Sequence, residues 1–362
     1  MPRRPPRSSS RRSRQLVERY GTGRLSDHHA IAKDPPVKGM GSRALLGAMA
    51  AMAVFAASLV GSLAAASVRV AAAAEEPAEG ERAPPPRTSS EVLESASPAD
   101  WRPVDPQNTL YMELPSGRVI IELAPMFAPH HVANIEALAR EHYFDGLAIV
   151  RSQDNYVVQW GDPDGKRPVG NAHRTLAAEF ERPSRGLPFT VLPDPDTYAS
   201  ETGFVEGFPA ARDPKFGRAW LVHCYGMVGV GRDNDVDSGS GTELYAVIGQ
   251  APRHLDRNAT LVGRVIQGMN LLSTLPRGSG EMGFYDKPSE RVPIKSVRVA
   301  ADVPESQRTQ LQELRTDTAT FMAYVESRRN RHEEWFKVPA GRVDVCNVPV
   351  VVRSASGTKA SR

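Results

Sequence analysis

The chain has 362 residues, 40% of them hydrophobic and 24% charged, which is the balance of an ordinary globular protein and excludes a wholly disordered or wholly membrane-embedded one. Its net charge is +3, and much of that excess lies in Arg3, Arg4, Arg7, Arg11, Arg12 and Arg14. The rest of the chain therefore shows no basic patch with interleaved aromatics, and no nucleic-acid partner is expected. The length allows one large domain with appendages or two small ones.

Residues 1–39 read as a basic leader, with Met40 as the expected true start. An apolar run over 44–66 follows Arg43, and Ala72-Ala73-Ala74 closes it before Glu75-Glu76-Pro77. A charged start, an apolar middle and a small-residue exit describe a secretory signal peptide over 40–74. The alternative is an uncleaved anchor, since the run is long enough to cross a bilayer core of roughly 30 Å. A periplasmic or secreted protein is expected, touching membrane only through this segment. Export gives Cys224 and Cys346 an oxidising compartment, where a disulfide or two buried thiols are both open.

From residue 75 the chain is rich in Glu, Pro, Ala and Ser without apolar periodicity, and 75–106 reads as a disordered linker. Short β-type runs then appear at 109–114 and 118–123, joined by a three-residue connection, Pro115-Ser116-Gly117. Ala128-Pro129 opens a helix in which Val132, Ile135, Leu138 and Ala139 recur at helical spacing, and Asp145-Gly146 ends that segment. Further strands are expected at 147–151, 156–160, 221–229, 244–248, 261–265 and 294–299, with a short helix at 268–275. The Pro- and Gly-rich stretch 187–217 reads as an inserted surface loop.

Many short strands with two helices favour a closed antiparallel β-barrel capped by helices, over residues 107–301. The tail, 302–362, reads as a helix plus strand extension. Asp302 and Glu305 resemble a capping box, and Leu311, Leu314, Thr318, Phe321 and Val325 form one apolar stripe, followed by a β-type run at 342–352. The stripe is expected to pack on the chain's own barrel, leaving a monomer. Asp233, Asp235 and Asp237 do not make a calcium loop, because Ser238 and Leu244 stand where glycine and glutamate are needed. Adjacent His130-His131 on a helix cannot converge on one ligand, and no metal or cofactor is expected.

The run Leu147-Ala-Ile-Val-Arg-Ser-Gln-Asp-Asn-Tyr-Val-Val-Gln-Trp-Gly-Asp162 resembles the cyclophilin signature F-H-R-x-x-x-x-F-M-x-Q-G-G-D. Upstream, the segment from Gly117 to Asn134 resembles that family's opening hairpin and helix. Downstream, Gly226-Met-Val-Gly-Val-Gly-Arg-Asp-Asn-Asp235 resembles the family's bacterial loop lining the groove, and Thr242-Glu-Leu-Tyr-Ala-Val-Ile248, His254-Leu-Asp256 and Leu261-Val-Gly-Arg-Val-Ile-Gln-Gly-Met269 resemble later family segments in family order. The resemblance implies an eight-stranded cyclophilin-like barrel and a peptidyl-prolyl cis-trans isomerase, of the bacterial exported form, acting on proline-containing polypeptides during the folding of exported proteins. The alternative is a catalytically weak cyclophilin-like peptide-binding module or chaperone.

Carried over position by position, the resemblance makes Arg151 and Gln159 the catalytic pair. Tyr156, Val157, Gly231, Glu243, Tyr245, His254 and Leu255 become the substrate-binding residues. Departures are visible at Val150, Val157, Tyr156, Tyr245, Glu243 and His254, where the family pattern has other residues. Glu243 raises the question of whether a carboxylate positions the Arg151 guanidinium or sequesters it.

Overall fold

The computed structural model of the chain describes residues 86–355, all within the first of the two units into which the chain divides. The basic leader and the apolar segment 40–74 lie outside the described residues.

The linker expected up to residue 106 is ordered where it is described. Thr88 caps helix α1 (Ser89–Glu94): its hydroxyl accepts the Glu91 N–H, and the Glu91 carboxylate accepts the Thr88 N–H at 2.7 Å. Such a reciprocal cap satisfies two donors that a helix end leaves open. A single turn and a half is not stable alone, and α1 persists because Val92 is buried, 1% exposed. Strand β1 (Trp101–Pro103) follows, with Trp101 also buried. The polar composition here reflects caps and turns between buried anchors.

Strands β2 (Thr109–Leu114) and β3 (Gly117–Leu123) pair antiparallel with Leu114 opposite Gly117. The connection is therefore two residues, one fewer than expected. Helix α2 (Pro129–Arg140) carries proline in its first turn and buries Val132, Ile135, Leu138 and Ala139. Then come β4 (Ala148–Ser152) and β5 (Val157–Gly161).

The stretch expected to be a surface loop carries three strands of a second sheet. Strands β6 (Arg182–Pro183), β7 (Phe189–Val191), β8 (Glu201–Val205), β9 (Phe208–Asp213) and β10 (Arg218–Leu221) form one antiparallel layer in the order β6-β10-β9-β8-β7. Glu206 and Gly207, both at positive φ, make the two-residue turn between β8 and β9. The glycines and prolines that suggested a loop punctuate a meander, and small residues such as Gly203, Ala210 and Ala211 mask its strands.

Strands β11 (Met227–Val230), β12 (Glu243–Val247) and β13 (Leu261–Gln267) lead to helix α3 (Met269–Ser273) and to β14 (Val292–Pro293) and β15 (Ser296–Val299). These join the earlier strands in a sheet of order β14-β4-β5-β12-β11-β13-β3-β2-β15. The fold is mostly β, as expected, but the sheet is a curled nine-stranded half-barrel and not a closed eight-stranded barrel. Its two edge strands, β14 and β15, follow one another in the chain but pair with β4 and β2 and not with each other. Instead the Ile294 N–H donates to Leu147 O and the Lys295 N–H to Glu113 O, each at 2.8 Å. One extended segment thus leaves the β4 edge and joins the β2 edge.

The tail breaks the single helix expected there. Leu311 and Leu314 belong to strand β16 (Leu311–Leu314), which lies between β1 and β17 (Val352–Ser354) in a three-stranded sheet. Helix α4 (Ala319–Arg329) starts only at the Thr318 cap, whose hydroxyl accepts the Phe321 N–H at 3.1 Å. The open edge of β1 outweighs the helical spacing, since tertiary pairing routinely overrides local pattern. Among the described residues the helices number four, α1 to α4.

Two main cores result. The first lies under α2 and contains Leu110, Met112, Ile121, Ile135, Leu138 and Trp160. The second joins the five-stranded layer to α1 and α4 through Val92, Phe204, Trp220, Phe321 and Val345. Phe204 meets Phe321 edge-on with centroids 5.1 Å apart, and Asp194 takes both ends of the Arg329 guanidinium at 2.8 and 3.0 Å. A disulfide between Cys224 and Cys346 fastens the same assembly.

Candidate active site

Arg151 owes its orientation to a register shift. Ile149 pairs with Trp160, yet Arg151 pairs with Gln159, so β4 carries one extra residue between these pairs. In a regular strand Arg151 would share a face with Ile149, which is in the first core. The bulge turns it to the other face beside Gln159, which is how bulges re-aim single side chains. On β5 and β12 the same face carries Val157 and Gln159 opposite Val247 and Tyr245.

The guanidinium, on a residue 5% exposed, is held by acceptors on three segments. Nε donates to the Met282 carbonyl at 2.7 Å, Nη1 to Gln159 Oε1 at 3.2 Å, and Nη2 to Gln153 Oε1. Its plane approaches the rings of Tyr156 and Phe284 at 5.5 and 5.2 Å. Gln159 in turn donates from Nε2 to the Glu243 carboxylate at 3.0 Å. Because one amide oxygen faces Arg151 and its nitrogen faces Glu243, the carboxylate fixes which way the Gln159 amide points.

A cavity of about 280 Å³ opens beside this arginine. Seven of the nine positions expected from the sequence line it: Arg151, Tyr156, Val157, Gln159, Gly231, Tyr245 and Leu255. Val157, Tyr245 and Val247 form an apolar cluster with Tyr156 and Ala259 packed on it. Burial pushes the Tyr156 phenol above its usual range, against the pull of Arg151.

Two of the nine expected positions do not line the cavity. Glu243 is not among the lining side chains and stands behind Gln159. His254 lies on the short turn Arg253–Leu255 with its side chain exposed, because that turn spends its apolar contact on Leu255.

Sequence reasoning missed Met282, which both lines the cavity and supplies the carbonyl under Arg151. It comes 131 positions later in the chain, in a turn that no periodicity marks, at φ +56°. Asn258 and Ala259 were missed as well, whereas Arg232, Asp233 and Asn234, which also line the cavity, fall in the segment 226–235 that the resemblance marks as the loop lining the groove. The buried pair His223 and Asp256 behind Tyr245 had one signal: a phenol in an apolar wall needs a hydrogen-bond partner.

The fold and this site define an isomerase of the cyclophilin class. The sequence matches the family described as "Cyclophilin type peptidyl-prolyl cis-trans isomerase/CLD" over residues 109–299. Curated relatives from Brucella suis and Brucella melitensis, each named "Probable peptidyl-prolyl cis-trans isomerase", are 28% identical over 187 residues, covering 51% of this chain and 81% of theirs. Among solved structures, cyclophilin AquaCyp293 from Hirschia baltica is similar with a TM-score of 0.57 and 27% identity, over 74% of this chain and 98% of that one. The chain belongs to the cyclophilin-type peptidyl-prolyl cis-trans isomerase family.

Proposed function

We propose that the cavity binds an Xaa–Pro segment of a polypeptide, with the pyrrolidine ring against Tyr156, Val157, Tyr245 and Leu255 and the prolyl nitrogen facing Arg151. The barrier to be lowered is amide resonance, about 18–20 kcal/mol. No bond to a side chain is required, only a fixed donor that favours the twisted amide. A guanidinium serves because it stays charged and presents donors in a rigid plane. Gln159 orients that plane from one side and the Met282 carbonyl from another, so little reorganisation is needed when the peptide binds. The observation that carries this reading is a near-buried guanidinium fixed at three points beside an apolar-walled cavity.

The proposed substrates are proline-containing chains folding after export. The Cys224–Cys346 disulfide supports that setting, since such bonds persist in oxidising compartments. The apolar run 44–66 with its small-residue exit supports it from the sequence. Determining the N-terminus of the mature protein from its native host separates cleavage near residue 74 from retention of an anchor.

A prolyl isomerisation assay on a short peptide tests the chemistry. Arg151→Ala is expected to lower kcat/KM by about 10²–10³-fold, the usual effect of losing one preorganised donor, with an unchanged circular dichroism spectrum. Equal rates for variant and wild type, both near the uncatalysed value, would leave a peptide-holding module with little turnover. The engagement of Arg151 by Gln153 and Met282 is what favours that second reading.

A further inference from the structure

Tyr245 stands where the family pattern has phenylalanine, and its hydroxyl meets His223. The ring Nε2 of His223 lies 2.9 Å from that hydroxyl, and the two rings are near parallel, 12° apart, with centroids separated by 6.2 Å. On its other side, Nδ1 lies 2.9 Å from Asp256 Oδ1. Asp256 also accepts the His223 backbone N–H at 2.9 Å and Arg253 Nε at 2.6 Å. Arg253 bonds both carboxylate oxygens of Asp196 at 2.9 Å, and Asp196 lies in the connection between β7 and β8. The side chains of His223, Asp256, Arg253 and Asp196 are all buried.

Bond directions follow from the donor inventory. An ionised carboxylate only accepts, so Nδ1 of His223 carries the proton given to Asp256. A neutral ring then presents Nε2 as an acceptor, and the Tyr245 hydroxyl donates to it. Space for the phenol is provided by Gly229 on β11: a Cβ there would lie 2.3 Å from the ring carbon bearing the hydroxyl.

We propose that His223 is a positioning residue that holds the Tyr245 ring as a fixed wall of the proline pocket, and so sets affinity for the Xaa–Pro segment. The proposal rests on the reading of the cavity given above. His223 does not touch the cavity itself; it acts through Tyr245, and Asp256, Arg253 and Asp196 hold it in turn. A phenylalanine at 245 lacks that tether and leaves the buried Nε2 of His223 without its donor, whereas a tyrosine without His223 has a buried hydroxyl to satisfy and swings to do so.

A double-mutant cycle on KM for a tetrapeptide with one central Xaa–Pro bond tests it. His223→Leu and Tyr245→Phe are each expected to raise KM by about five- to tenfold, the scale of one buried hydrogen bond, while kcat of the His223→Leu variant stays within about twofold of the parent. The double variant His223→Leu/Tyr245→Phe is expected to be no worse than either single one. His223→Gln, whose amide offers one donor to Asp256 and one acceptor to Tyr245, is expected to restore the parental KM and carries the test if the leucine variant does not fold. Additive KM effects, or no rescue by glutamine in a folded variant, overturn the proposal. Arg151→Ala run in parallel keeps the two readings apart: full activity there removes the cavity reading, whereas additivity beside an inactive Arg151→Ala removes only the role of His223.

Discussion

One inserted residue in β4 decides where the Arg151 side chain goes, and the bonds around it decide how far it can move. Arg151, Gln159 and Glu243 were legible in the sequence because they match the resembled family's pattern position by position; strand alternation alone would have put Arg151 on the other face. His223 was not, since its relation to Tyr245 and Asp256 depends on a crossing of three segments. Its burial has a measurable consequence. Desolvation lowers the His223 pKa below the ordinary imidazole value, against the opposing hydrogen bond and charge of Asp256. The groups facing it are Asp256, Tyr245, His254 and Arg253. In the window below about 6.5 the unfolded chain binds a proton that the folded chain refuses, so stability rises with pH there. The contribution is complete above that window and is lost as the pH falls through it. Urea midpoints between pH 8 and pH 5 check this: wild type is expected to lose more stability on acidification than His223→Leu/Tyr245→Phe. Parallel curves would show that the ring is protonated in the fold.

At the scale of elements, the three-stranded sheet of the tail is tied to the half-barrel by a buried ionic cluster. Glu313 on β16 contacts both Arg264 on β13 and Arg102 on β1, while Glu122 on β3 contacts Arg264 at 2.9 Å and Arg102 at 2.8 Å. Burial raises the Glu313 carboxyl above the ordinary carboxylate range, with Arg264 and Arg102 pulling it down. Without the Glu313 carboxyl the buried Arg264 guanidinium shares Glu122 with the half-exposed Arg102, and a buried charge short of a partner is costly. Glu313→Leu is therefore expected to destabilise the fold by about 3–5 kcal/mol, read as a lower urea midpoint. An unchanged midpoint would mean that water enters the cluster. None of this was visible in the tail sequence. The spacing of Leu311, Leu314, Thr318, Phe321 and Val325 fits one helix, and only the free edge of β1, some 200 positions earlier, explains why Leu311 and Leu314 become a strand. Phe321 and Val325 did belong to a helix, and they are buried.

Across the whole described chain, three segments that looked like accessories make one layer. The polar stretch before residue 106, the stretch 187–217 and the tail contribute α1, the five-stranded sheet and α4 to a shared core. The first two are short of apolar periodicity by themselves, which is why a reading segment by segment gave linker and loop; the tail was read as one striped helix packed on the barrel with a strand after it. The similarity to AquaCyp293 reaches over 74% of this chain, beyond the matched residues 109–299. The disulfide spans 122 positions of sequence, and closing so long a loop restricts the unfolded chain strongly. Replacing Cys224 and Cys346 together by serine is expected to cost about 2–5 kcal/mol, seen as a lower urea midpoint that reductant no longer shifts. A wild-type midpoint insensitive to reductant would show that the second layer holds without the bond.

The same bond changes what a protease can accomplish. Trp335 and Val338 stand 82% and 84% exposed, within the segment that joins α4 to Cys346, and side chains that open to solvent mark the places where chains are first nicked. A cut there divides the backbone but not the molecule. The C-terminal piece stays fastened at Cys224, immediately beside His223, and the strand it supplies to the sheet with β1 and β16 stays tethered there. Release takes two unrelated events, hydrolysis and reduction, and a compartment rich in proteases but poor in thiols supplies only the first.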